Sequence, residues 1–113
     1  MNNLNNDFAG FTGTEHFYKH WLGFVYTDGV KAMADKYGAY WLIDVIASYQ
    51  SKLKKAEFQI WEIEASEGKA VVIMKEDTDR KPLVRQEIKY TTFPSGTFKL
   101  WLSNGTLLLP SEY

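Results

Sequence analysis

The spacing of apolar residues changes once along this chain, near residue 56, and that change limits the folds open to it. Upstream, apolar residues recur every three or four positions; downstream they recur at every second one. These are the periods of an α-helix and of a half-buried β-strand. A chain with its helices first and its strands second can bury both apolar faces only by laying one layer on the other. The expectation is an α+β domain with N-terminal helices packed on one face of a sheet. A length of 113 residues suits a single such domain. We expect residues 1–10, MNNLNNDFAG, to be a flexible lead-in and residues 11–113 to form the domain.

Three helices are expected. In FTGTEHFYKHWLGF, Thr12 or Thr14 can cap a short helix that lines up Phe17, Trp21 and Phe24 and stops at Gly23. Thr27 or Asp28 can cap the next, which places Val30, Met33, Ala34 and Tyr37 on one side and breaks at Gly38. AYWLIDVIASYQSKLKK is the strongest, with Leu42, Val45, Ile46, Tyr49 and Leu53 as its stripe and lysines at its C-terminal end. Five strands follow: FQIWEIEAS, AVVIMKE, LVRQEIKY, TFKLWLS and TLLLP. Asn104-Gly105 is the strongest hairpin signal among their turns. Short connections make a five-strand antiparallel meander the simplest arrangement.

Composition removes several function classes. There is no cysteine, which excludes disulfides, thiol nucleophiles and thiolate metal sites and fits a reducing cytoplasm. No signal or transit peptide is expected, because the first ten residues hold neither a basic residue nor an apolar run. Apolar stretches such as AYWLI fall far short of the roughly 20 residues that span a bilayer, so no membrane role is expected. A net charge of −1 gives no general attraction to nucleic acid. Neither GxGxxG nor GxxxxGK[ST] occurs, nor a GxSxG elbow, and no cofactor is expected.

A few residues could still carry chemistry. His16 and His20 stand four apart on the expected first helix, a spacing at which two imidazoles can share a metal, although two ligands are too few. Asp44 interrupts the most apolar helix and would need a partner if buried. With Tyr40, these residues define an alternative reading as a small enzyme with a pocket between helices and sheet. Glu76, Asp77 and Asp79 crowd one loop but lack the EF-hand pattern, and a solvated loop accounts for them. The uncovered face of the sheet draws more interest. Arg85, Lys89 and Lys99 are expected there with Trp101 and Trp61, and Tyr113 ends the chain as a second contact point. Aromatics interleaved with cations suit a protein partner or a homodimer. They suit single-stranded nucleic acid less well, because Glu64 and Glu87 dilute the charge. The leading expectation is a non-enzymatic interaction or accessory module using this face or the C-terminal segment.

Several segments taken together carry a resemblance: FTGTEHFYKH, YTDGV, GAYWLIDVIASYQ, FQIW, YTTFP and LPSEY. Over residues 11–113 the chain resembles a family of small bacterial proteins, also found on phages and plasmids, classed as a domain of unknown function. The resemblance implies an intracellular bacterial or mobile-element setting. It implies no catalytic or ligand-binding residue.

Overall fold

A computed structural model describes residues 2–113. In chain order its elements are β1 (Phe17–Lys19), β2 (Val25–Thr27), α1 (Asp28–Tyr37), α2 (Tyr40–Ser48), β3 (Phe58–Ser66), β4 (Lys69–Lys75), β5 (Val84–Ile88), β6 (Gly96–Ser103) and β7 (Thr106–Leu108). Short 3-10 turns at Leu4–Phe8, Gln50–Lys52 and Pro110–Glu112 complete it. The class is α+β, with two helices and a mixed sheet in the order β1-β2-β7-β6-β3-β4-β5.

Both helices form where local chemistry directs them. The Thr27 hydroxyl accepts the Val30 N–H at the start of α1, and Gly38 ends it in the left-handed conformation at φ 61°. Val30, Met33, Ala34 and Tyr37 of α1 then join Leu42, Ile43, Ile46 and Ala47 of α2 in one core. The inner face of the sheet supplies the rest. Trp61 lies opposite Leu100 and Met74, and Ile63 opposite Phe98 and Val72, and all are buried. Strand alternation sends their neighbours Ile60, Glu62 and Glu64 to the outer face.

Three expectations are corrected. The segment expected as the first helix is a hairpin, β1 and β2, closed by a Phe24 carbonyl that accepts the His20 N–H at 2.8 Å. Gly23 at φ 112° makes the tight return, a conformation most residues avoid. Phe17 and Trp21, meant for a buried stripe, are 60% and 81% exposed. Their spacing satisfied a helical period, but β-prone FYK and VYT flank a turn that glycine can close.

The five expected strands are present, yet they are not a meander. β6 pairs with β3 instead of β5, and β2 pairs with β7 in parallel. This sets the nine-residue β3, which carries Trp61, between β6 and β4, its two long partners. The connection from β5 back to β6 is pinned by Phe93, buried against Tyr37 and Phe98, and by the Thr92 hydroxyl donating to the Tyr37 carbonyl at 2.7 Å.

The expected lead-in is packed as well. Leu4 and Phe8 are buried, and Phe8 meets Phe98 and Tyr37 edge-on. Asn5 uses its side chain on both backbone groups of Lys99, continuing the β6 edge beyond the short β7. That approach depends on Gly96. At φ 146°, an added Cβ would stand 2.6 Å from the Asn2 carbonyl oxygen. Gly96→Ala is therefore expected to cost about 1–3 kcal/mol in urea unfolding; an unchanged midpoint would contradict this packing of the N-terminal segment.

Candidate functional site

The sequence-predicted site residues separate into pairs. Asp28 opens α1 and accepts from the Glu15 and His16 N–H groups and from the Tyr18 hydroxyl, while the His16 ring, 3.7 Å from it, is 70% exposed. These bonds, that from the Glu15 N–H foremost, hold the Asp28 carboxyl below the usual carboxylate range. Tyr40 donates instead to Asp35, which also takes the Lys31 ammonium at 2.9 Å. The Tyr40 hydroxyl, foremost, and the ammonium hold Asp35 low too.

His20 is the residue that meets Asp44. Its Nε2 lies 2.8 Å from the carboxylate, and its Nδ1 accepts the Leu22 N–H at 3.1 Å. An accepting Nδ1 assigns the proton to Nε2, which donates to Asp44. The ring is buried and stacks on Phe24 at 5.0 Å, so Nδ1 and one face shape the hairpin while Nε2 ties it to α2. Among the described residues no group of three or more His, Asp or Glu side chains is placed to hold a metal ion. Of the four residues His16, His20, Tyr40 and Asp44, the structure joins His20 to Asp44, while His16 lies beside Asp28 and Tyr40 bonds Asp35.

The outer face of the sheet is organised differently. Phe58, Ile60, Glu62 and Glu64 of β3 lie there by alternation, with Trp101 opposite Ile60 and Lys99 opposite Glu62. Leu108 of β7 sits beside Trp101. Ile60 and Leu108 are buried although both α-helices of the described residues pack on the other face, and they stand apart from the main core. Three rings lie in edge-on contact beside them. Trp101 meets Phe58 at 5.4 Å and Tyr113 at 5.3 Å, and Tyr113 meets Phe58 at 6.3 Å. Trp101 is half-buried, whereas Tyr113 is 74% exposed.

Trp61 was expected on this surface and is fully buried on the inner one. Its indole N–H donates to Gln59, whose amide pairs reciprocally with that of Gln50. The expected cations are matched by acids in the sheet plane: Lys99 is 3.9 Å from Glu62, and Arg85 is 3.2 Å from Glu87. Lys89 is exposed beyond the end of β5. Phe58, Ile60 and Leu108 were missed as members of the surface. Phe58 and Ile60 share strand parity, but only the β3–β6 and β6–β7 registers bring all three to Trp101.

The chain belongs to the family of unknown function DUF6876, whose profile matches residues 2–113. No curated protein and no solved structure matches it. No helix is long and apolar enough to cross a membrane among the described residues.

Two outcomes follow from these contacts. His20→Ala is expected to cost about 1–3 kcal/mol by removing a buried ring and two hydrogen bonds. Asp44→Asn should cost under about 1 kcal/mol, since the 66% exposed side chain can still accept; equal losses in urea unfolding would contradict the unequal roles. The depressed Asp28 and Asp35 carboxyls stabilise the fold above their unfolded value of about 3.9, and that contribution fades as pH falls through the lower folded values. Acid titration of the melting temperature should show this loss below about pH 4. The double change Asp28→Asn with Asp35→Asn should flatten that part of the curve, and a parallel curve would refute it.

Proposed function

We propose that this protein is a non-enzymatic interaction module, working in a bacterial or mobile-element cytoplasm, whose binding surface is the aromatic end of the outer sheet face. One observation carries the reading: Tyr113 stands against Trp101, so the C-terminal segment and the outer face are one surface. The half-open Trp101 indole lies between the buried Ile60 and Leu108 on the paired strands, and the exposed Tyr113 phenol stands beside it, giving an apolar base with polar tips. Aromatics of this kind anchor protein interfaces because they bury much area at small entropic cost. The Lys99–Glu62 pair beside them supplies a charged border. Its matched charge favours a protein partner over a nucleic-acid backbone.

Affinity capture from the native cell tests this, with the wild type compared against Trp101→Ala and the exposed-loop control Trp21→Ala. A protein retained by wild type and Trp21→Ala but lost with Trp101→Ala is the expected result. Retention by Trp101→Ala with loss by Trp21→Ala would move the function to the β1–β2 hairpin and refute the proposal.

A further inference from the structure

The two edges of the sheet differ in how they are closed. At one edge β1 has three residues, too short to template much pairing. At the other, β5 runs through Val84–Ile88, and no strand of the described residues pairs with it beyond β4. VRQEI contains no proline, glycine or lysine, and its two exposed charges, Arg85 and Glu87, are of opposite sign, so they do not repel a strand that sets each opposite the other. Outward backbone groups on such a strand are open to another strand.

The sequence of β5 is complementary to itself when reversed. In an antiparallel pair centred on Gln86, Arg85 of one copy stands opposite Glu87 of the other, and the two-fold axis repeats the pair. In the same register Val84 meets Ile88 on the inner face, and Gln86 meets its own copy on the axis. Leu83, 53% exposed just before the strand, lies opposite the exposed Lys89, whose alkyl stem can cover it. In one copy alone, Arg85 and Glu87 are 60% and 70% exposed and, among the described residues, pair with each other.

We propose that β5 is a homodimer edge: two copies of this chain join β5 to β5 in antiparallel register about Gln86, making one continuous sheet of twice the width. The occupant is a second copy because each residue of Val84–Ile88 finds its complement within the same five residues. Pairing at this edge leaves the outer face open and sets two Trp101–Tyr113 surfaces on the same side of the joined sheet. It stands whether or not that surface has a partner.

Sedimentation velocity over a concentration series of the full chain tests the proposal through charge reversal. Wild type should sediment as a concentration-dependent dimer. Arg85→Glu alone and Glu87→Arg alone each set like charges opposite one another twice, and each should raise the dissociation constant at least about tenfold. Mixing the two variants places the carboxylates of one chain opposite the guanidinium groups of the other and should restore a dimer. So should the double variant R85E/E87R. Circular dichroism serves as the fold check; both positions are exposed, so the spectra should match wild type. A wild type that stays monomeric throughout would overturn the proposal. So would single variants that dimerise like wild type, or a mixture no more dimeric than its components.

Discussion

Much of this architecture depends on one carboxylate, that of Glu112. Its oxygens accept from the Thr27 hydroxyl at 2.6 Å, the Leu109 N–H at 2.9 Å and the Gly29 N–H at 3.1 Å. Two of these donors belong to the start of α1, where unpaired N–H groups and the helix dipole favour a negative charge. The side chain therefore ties the last residues of the chain to the first helix. Gly29 makes the approach possible, because a Cβ there would lie 2.7 Å from both the Glu112 carboxylate and the Leu109 side chain. Leu109 is buried in the core, so the Pro110–Glu112 turn is held at both ends. Tyr113 follows directly and comes to rest against Trp101 and Phe58.

The sheet itself has two different faces. On the inner face the helices cover Trp61, Ile63 and Phe98, and the polar Gln59 of β3, buried beside Trp61, is satisfied by Gln50, Trp61 and the Ala56 carbonyl. No buried side-chain polar atom among the described residues lacks a partner, as a close-packed interior requires. The outer face lies away from both α-helices of the described residues, and Ile60 and Leu108 lie beside neighbouring rings instead. Such rings keep an open side. A surface built from them differs from an ordinary polar sheet face and lends itself to contact with another protein.

The two helices and the five C-terminal strands were legible in the sequence, because each rests on local periodicity and local caps. The second helix, however, stops at Ser48, short of the expected lysines, and the layer boundary near residue 56 fails because β1 and β2 upstream of it belong to the sheet. The Thr27 cap, the Gly38 stop and the Asn104-Gly105 turn worked at short range. What could not be read was set by distance. The Phe17, Trp21 and Phe24 spacing fits a helix, yet β2 is held by β7, some eighty residues later, and by its own hairpin partner. Strand order depends on where Phe93 and Phe98 pack, and this contact exists only after collapse. Trp61 and Trp101 both sit on alternating strands. The face each takes follows from the β3–β6 register, which the alternation alone does not supply. His20 found Asp44 through the hairpin, a pairing invisible while both were read as helical.

The central claim is that the C-terminal residue and the outer sheet face form a single surface. A nuclear Overhauser spectrum of the full chain tests it directly through the Tyr113 ring protons. The account predicts cross-peaks from Tyr113 to the Trp101 indole and to Phe58. A Tyr113 ring with no cross-peak to either, and with the sharp lines of a free terminus, would contradict it.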